Sequence, residues 1–582
     1  MNWPSYKQNL FRGINNKTDD FRIENEESSS AKNILVDDEG TLKSRPGRDK
    51  RNGTVITGTP DMLSLFRYYH SDDSTVKLIA YGGTDIYLGA ETSPYNFTSL
   101  EASLTSNTKW RFVQFRDKVF GCNGTDTNWK YDGTNAIDMG VAVPTAPAVA
   151  IGAATGLTGD YYYKVSWQVD SYEEGDASVA SALIQPSNQK VTVTKPTSTA
   201  EGDVTHWIIY RTEASGTTYY KVASVAVATG TYTDSTADAS LDTGTTAPTD
   251  NNVPPVNADF MALHHRYIFM VDKDTSTIWF SKQDYPETYP AAYYFYVNPK
   301  DGENLDGGII SSQGGLWLFK KNNLYLLAGN DTTDFGIPPN SYTHYGCYAP
   351  DTLVDCTYMG INVIMYLHKT GVRMWNGATS QLVSRKIQTT IDSIQNDYIS
   401  EACAALVGDE YWISWNTSGT YNNETWVLNL LTGDWRKYDF GCNHILQWKD
   451  GTVMSAQEDG WIYTENTGTD DADADISWEY YTKNYTFPHK DDPGSWNRYR
   501  EFIIWASLAT DTLSINFVAD SDSTNKSFTK TIANMGSSLV RKRFSLPQYI
   551  QGELLKIKFS SSGQNACEIR AFELRMQPIP RR

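Results

Sequence analysis

Apolar and polar positions alternate along most of this chain in short runs, and the runs recur as one phrase. An apolar stretch is followed by a Gly/Asp/Asn turn, then by a second apolar stretch that carries Tyr or Trp and ends in another polar turn. The phrase is found seven times: VKLIAYGGTDIYLG from Val76, FVQFRDKVFGCNG from Phe112, MALHHRYIFMVDKDTSTIWFSK from Met261, GIISSQGGLWLFKKNNLYLLAG from Gly308, CTYMGINVIMYLHKTGVRMWNG from Cys356, ALVGDEYWISWN from Ala405 with ETWVLNLLTGDW after it, and ILQWKDGTVMSAQEDGWIYTE from Ile445. Once one long interruption is removed the copies lie roughly 40–50 residues apart, the period of propeller blades. Successive side chains of a strand point to opposite faces, so this alternation, closed by Asp-Gly, Asn-Gly and Gly-Gly turns, predicts half-buried antiparallel strands. The expected fold class is all-β, built on a β-propeller of about six to eight blades. Helix hardly figures; the best candidate is Gln388 to Gly408, where Ile391, Ile394 and Ile399 keep a loose helical spacing and would pack outside a sheet.

The interruption, about Pro144 to Pro255, is different material. Pro-rich linkers bracket GDYYYKVSWQVDSYEEGDAS, QKVTVTKP, THWIIYRTEASGTTYYKVASVA and TGTYTDSTA, short strands at sandwich spacing with Trp and Tyr available for the inner faces. It resembles a fibronectin type III or immunoglobulin-like β-sandwich inserted at a propeller loop, where added domains are tolerated. After the seventh phrase, TGTDDADADIS from Thr467 to Ser477 reads as an acidic linker. Its alternating Asp471, Asp473 and Asp475 lack the Gly and closing Glu of a calcium loop. Amphipathic strands then run to the end and predict a C-terminal β-sandwich-like domain. The expected division is an N-terminal arm over 1–50 contributing strands to the propeller or platform, a first propeller part over 51–143, the inserted domain over 144–256, a second propeller part over 257–467 and the C-terminal β-rich domain over 468–582. Within the arm, LVDDEGTLKSRPG suits a hairpin, so Lys32 to Gly47 is expected to pair with the last blade and remove its free edge, with Arg45 bonding a turn.

With 582 residues the chain exceeds one ordinary core, and two or three domains are expected. No run approaches the ~20 apolar residues of a membrane span, and the N-terminus lacks the apolar segment of a secretory signal; a soluble protein made in the cytosol is expected. Six scattered cysteines without CxxC spacing argue against a disulfide scaffold and a structural zinc site. The net charge of -19 disfavours grasping nucleic acid. It does not exclude a conduit, since an acidic wall keeps a passing polyanion from sticking.

The opening FRGINNKTDDFRIENEESSSAKNILVDDEGTLKSRPG, with Gly40, Leu42, Arg45, Pro46 and Gly47 in its Asp-x-Gly-x-Leu and Arg-Pro-Gly steps, resembles the start of the tail hub or nozzle proteins of short-tailed bacteriophages. The order of parts is similar too: arm, propeller, and a β-rich end with a line such as CEIRAFELRM, here Cys567 to Met576. The resemblance does not extend to the inserted domain. It implies a virion structural protein of the tail, made in the host cytoplasm. It implies a homo-hexameric ring docked beneath the head-to-tail adaptor or connector, near the tail fibre or spike and tail-tip proteins. Double-stranded DNA would pass transiently through its axis, with no catalysis, no cofactor and no membrane insertion.

Channel-lining candidates are the acidic loops DKDTST (Asp272 to Thr277) and NPKDGENLDGG (Asn298 to Gly308), with Asp272, Asp274, Asp301, Glu303 and Asp306. The alternative is a carbohydrate-binding or glycan-cleaving propeller at the tail tip. Glycoside chemistry uses two carboxylates flanking a pocket, for which Asp272, Asp274, Asp301, Glu303, Asp409 and Glu410 are available, though none stands in a distinctive motif. His264 and His265 are adjacent and so should project to opposite faces of a strand, unsuited to a metal pair. No P-loop, nucleophile elbow or HExxH occurs, and the expectation is of no enzyme and no metal. Clusters such as Tyr161 to Tyr163 and Tyr293 to Tyr296 are expected mainly to fill blade contacts.

Overall fold

Each of the seven phrases folds into its own antiparallel sheet, because each contains its hairpin partners within a few residues of a tight turn. The computed structural model describes residues 3–71, 76–197, 202–256, 258–448, 450–487, 496–533 and 535–579. The sheets, blades 1 to 7, span 62–101, 111–138, 260–296, 307–327, 349–382, 403–438 and 444–465. Blade 4 has three strands and the others four. The first strand of each blade touches the first strand of the next, from Met62–Tyr69 through Arg111–Phe115, Phe260–His264, Gly307–Ile310, Ala349–Tyr358, Cys403–Val407 and His444–Gln447 back to Met62–Tyr69. The chain is therefore a closed seven-bladed β-propeller.

Blade 7 takes its outer strand from the other end of the chain. Arg48–Lys50 pairs antiparallel with Ile462–Glu465, Arg48 opposite Glu465 and Lys50 opposite Tyr463. The guanidinium of Arg48 lies 4.6 Å from the Phe440 ring and 4.5 Å from the Tyr463 ring, and Lys50 lies 4.3 Å from Trp461, so cation–π contacts fasten the closing strand. Closure by an N-terminal strand is as expected, but the segment is not. The hairpin within Lys32 to Gly47, formed by Ile34–Val36 and Leu42–Ser44, pairs instead with Glu568–Ile579 of the C-terminal sandwich. The three residues after it close the blade.

The inserted segment builds two sheets of its own. Ala148–Thr158, Ser187–Thr194 and Thr231–Asp234 form one; Tyr163–Val169, Glu173–Glu174, Val204–Thr212, Tyr219–Ala226 and Asp242–Thr246 form the other. Tyr161, Tyr163, Trp167, Val191 and Trp207 fill the space between them. The fully buried Arg211 pairs with Asp234 at 2.8 Å, and the Tyr163 hydroxyl donates to the same carboxylate.

A second sandwich draws on both chain ends. Its seven-stranded sheet joins Ser5–Gln8 and the arm hairpin to Trp496–Ser507, Val540–Ser545, Gln551–Gly552 and Glu568–Ile579; its six-stranded sheet joins Ser28–Lys32 to five strands between Ile476 and Gly563. Phe502 meets Phe517 edge-on at 4.9 Å and stacks on Phe572 at 5.4 Å between the sheets. This core is continuous with Val363 and Met365 of blade 5 and Tyr411, Trp426 and Trp435 of blade 6.

Three expectations need correction. The candidate helix is one turn, Gln388–Ile391, followed by a 3-10 segment at Asn396–Glu401; Cys403–Val407 is then the first strand of blade 6. Ile391 and Ile394 are buried nonetheless. His265 sits in the hairpin turn at φ 48°, which brings its ring to 4.1 Å from that of His264 rather than to the opposite face. Tyr294 and Tyr296 lie exposed on the outermost strand of blade 3, whereas Tyr161 and Tyr163 are core residues.

Candidate functional site

The residues behind the phage resemblance converge on the seam between the two chain ends. Gly40 turns the hairpin at φ +76°, and a Cβ there would meet Leu10 Cδ1 at 2.1 Å. Leu42 is buried in the sandwich core. Pro46 offers its carbonyl to Arg45 Nη1 at 2.9 Å. A Cβ on Gly47 would fall 1.9 Å from the Asp470 carbonyl oxygen, so only glycine admits this approach of arm to linker.

Arg45 is the centre of the seam. Its guanidinium donates to both carboxylate oxygens of Asp471 (2.9 and 2.5 Å) and through Nε to Asn33 Oδ1 (3.1 Å), while lying 5.0 Å from the Phe440 ring. Asn33 in turn donates to Asp439 and to the Ser477 carbonyl. Blade 6, the 467–477 linker and the arm are thereby bound through two arm side chains. The linker reading of 467–477 missed this role of Asp471, because alternating aspartates do not reveal which carboxylate will meet a cation from the far end of the chain.

The five channel-lining candidates cluster on one face of the propeller. The turn at 272–277 and the 297–306 connection touch through Asn304 to Asp274 (3.2 Å) and Ser276 to the Glu303 carbonyl. Asp272 accepts from the amides of Asp274 and Thr275 and from the Thr275 hydroxyl, an Asx turn. Asp301 grips Lys320 Nζ with both oxygens at 2.9 Å. Burial would raise its pKa, but that hydrogen bond prevails and holds it below the usual carboxylate range. Glu303 accepts from the Asn322 amide and from the side chains of Asn322 and Asn323. Burial pushes Asp306 up to about 6. Asp272, Asp274, Asp301 and Glu303 brace their loops, whereas the buried Asp306 Oδ2 has no hydrogen-bond partner among the described residues.

The propeller axis holds a different arrangement, which the sequence did not signal. A cavity of about 310 Å³ is bordered by Phe66, Phe112, Met261, Ile309, Asp351 and His444, among others, and by none of the five acidic candidates. Arg111 of blade 2 reaches across it to Asp351 of blade 5 (Nε to Oδ1, 3.0 Å), and Lys109 reaches the same carboxylate at 3.4 Å. Burial alone would raise the Asp351 pKa; the two cations override it and bring it to about 2. Burial lowers His444 beside them to about 4, so this imidazole stays neutral. Opposite inner strands bridged at 3.0 Å leave no room for a polynucleotide along the propeller's own axis.

A buried ion cluster joins the insert to the propeller. Lys118 and Lys130 of blade 2 meet Glu287, which follows blade 3's third strand, and Asp203 of the insert; Lys130 lies 2.5 Å from Glu287 and 2.8 Å from Asp203. Glu173 of the insert accepts from the Glu287 amide (3.1 Å) and the Thr288 hydroxyl (2.7 Å). Burial, with Glu287 alongside, pushes Glu173 up to about 8. Burial also opposes ionisation of Glu287, but Lys130 and Lys118 outweigh it and keep that carboxylate charged. The available signal was a lysine within each of two short segments, FRDKVF in the second phrase and NWKYDG just after it.

Among the described residues no group of three or more His, Cys, Asp or Glu is placed to hold a metal ion, and all six cysteines are free and buried. No described helix is long and apolar enough to cross a membrane. No protein-family model matches the chain, and no curated protein matches it. Among solved structures, the extracellular domain of a putative hybrid two-component system from B. thetaiotaomicron aligns over 91% of this chain and 78% of its own at 10% identity, with a TM-score of 0.26. The WD40 β-propeller domain of Doa1 aligns over 72% of this chain and 96% of its own at 8% identity, with a TM-score of 0.24. Likenesses this faint carry no argument; the propeller rests on its seven sheets and their closed ring.

Proposed function

We propose that this chain is a structural protein of a short-tailed phage tail, the hub or nozzle, acting as a homo-hexameric ring through which genome DNA leaves. The observation that carries the reading is the seam. The segment bearing the resemblance, Gly40 to Gly47, ties the arm to the C-terminal sandwich through Leu42 and Lys43 and to the 467–477 linker through Arg45 and Gly47, and the strand directly after it, Arg48–Lys50, closes blade 7, as a mechanical ring subunit requires. With the propeller axis bridged by Arg111 and Asp351, the conduit in this reading runs between subunits around the ring's symmetry axis. The acidic net charge suits a wall that releases the polyanion it guides.

Mass photometry of the purified protein, followed by negative-stain imaging, tests this. A six-fold ring with a central opening is the expected result. A stable trimer that retains immobilised glycans would overturn it in favour of receptor binding at the tail tip.

A further inference from the structure

One stretch of this acidic chain breaks its charge pattern. From Ser523 to Gly552 it carries Lys526, Lys530, Arg541, Lys542 and Arg543 and no Asp or Glu, whereas the whole chain has 69 carboxylates. The fold gathers these cations at one end of the C-terminal sandwich. Val540–Ser545 ends the seven-stranded sheet, pairing only with Trp496–Ser507, and Ser527–Ala533 ends the six-stranded sheet, pairing only with Thr512–Ala519. Both ends lie on the same side, since Phe544 of one and Phe528 of the other contact Phe517 (6.1 and 6.4 Å between ring centres).

Arg541, Lys542 and Arg543 are all exposed, and among the described residues Arg543 alone of the three pairs with a carboxylate, Glu501. Leu539, two residues before Arg541, and Tyr549, six residues after Arg543, are 42% and 49% exposed. Among the described residues no strand pairs with the outer edge of either end strand. Edge strands carry Lys and Arg in part to stop like edges from pairing, and here that repulsion excludes a symmetric contact of this edge with itself. Free main-chain groups and apolar side chains among the cations fit a protein surface rather than a phosphate backbone. A partner rich in carboxylates is at hand in another copy of the same chain. Among the described residues its inserted segment, 144–256, keeps eight Asp and Glu outside the core against four Lys, with Glu173, Asp203 and Asp234 buried.

We infer that the open end of the C-terminal sandwich, centred on Arg541, Lys542 and Arg543, docks against a carboxylate-rich surface of a second copy of this chain. The contact is head-to-tail, because the basic end meets a different surface, and repeated head-to-tail contacts close into a ring when the rotation permits. The inference rests on the proposed ring and names one of the two faces that build it.

The test compares wild type with the Arg541→Glu/Lys542→Glu/Arg543→Glu variant by mass photometry across protein and salt concentration, with thermal melting as the fold control. The expected result is that wild-type rings dissociate as salt rises and that the folded variant assembles about tenfold more weakly or worse, a loss of about 1.4 kcal/mol per contact or more. A folded variant that assembles like wild type overturns this surface and leaves the ring intact. A wild type that stays monomeric overturns both. Should the variant fail to fold, carbodiimide cross-linking of mixed unlabelled and ¹⁵N-labelled wild type decides. Amide links between Lys530 or Lys542 and a carboxylate of the other isotope support the contact, and links confined to one isotope overturn it.

Discussion

The molecule contains two β-sandwiches that meet the same propeller in opposite ways. The inserted one is made from one continuous stretch, has its own core of Tyr163, Trp167 and Trp207, and meets blades 2 and 3 through a buried ion cluster of Lys118, Lys130, Glu287 and Asp203 with the hydrogen-bonded Glu173, and through contacts such as Tyr172 with Tyr285. The C-terminal one is assembled from residues at both ends of the chain and shares an uninterrupted apolar core with blades 5 and 6. Apolar burial is non-directional and binds two bodies into one cooperative unit. A buried ion cluster brings little net stability but strongly penalises any mismatch of partners. The insert is thus specified in position yet separable, and the C-terminal sandwich is not separable at all.

The strongest way to break this contrast is to remove each contribution in turn. Deleting residues 2–44 takes four strands from the C-terminal sandwich, and the expected outcome is loss of cooperative melting for propeller and sandwich together. Deleting Ala146 to Pro254 with a short Gly/Ser linker should leave a cooperative propeller, destabilised because Lys118 and Lys130 lose Asp203. Adding Lys118→Met, Lys130→Met and Glu287→Gln should recover much of that loss, since apolar replacements of buried ions are often neutral or better. Calorimetry checks both; a cooperative transition surviving arm deletion, or abolished by insert deletion, would reverse the comparison.

Next in size is Arg45→Ala. It removes the bidentate pair with Asp471 and the bond to Asn33, and breaking a buried pair in this way should cost about 3 kcal/mol in denaturant unfolding. A change within about 0.5 kcal/mol, the range of ordinary surface substitutions, would show that the seam is held by its strands alone.

The smallest effect is one of pH, and it sharpens the account of the ion cluster. Glu173 has a raised pKa in the folded protein, so its contribution is fully present below the ordinary glutamate range and is lost as pH rises through about 8. The groups facing it are Glu287, Lys118 and Thr288, with Lys130, Asp203 and Tyr289 around them. Glu287 has the opposite sign: its contribution is present above the ordinary range and is lost as pH falls through its depressed value. Insert docking should therefore loosen above pH 8, and Glu173→Gln, which can still accept from Thr288, should remove that loosening while matching wild type near pH 5. Limited proteolysis of the 170–176 and 202–206 segments across this range provides the readout; equal cleavage of wild type and variant at high pH would exclude Glu173 as its source.

What the sequence disclosed follows the same division. Blades were legible because each phrase, such as VKLIAYGGTDIYLG, holds its own hairpin, and the insert was legible because its strands are consecutive. The arm's destination was legible only in part. Alternation shows that Ile34–Val36 and Leu42–Ser44 are strands, but not that their partner is Glu568–Ile579 rather than Ile462–Glu465, since a strand edge carries no address. The His264–His265 pair failed for a local reason: strand alternation does not apply to a residue in a left-handed turn. At the axis, Arg111, Asp351 and His444 come from the first strands of blades 2, 5 and 7, each just ahead of its recurring phrase and with no motif to link them, and only ring closure brings them together.

The central claim, that both chain ends and the propeller are one cooperative unit while the insert is another, is tested most directly by native-state hydrogen exchange. The account predicts that amides of Arg48–Lys50, Ile462–Glu465 and Glu568–Ile579 exchange through a single opening of highest free energy, with the strands of 148–246 opening separately and at lower cost. Exchange of Arg48–Lys50 through an early local opening, with blade 7 and the C-terminal sandwich still protected, would contradict it.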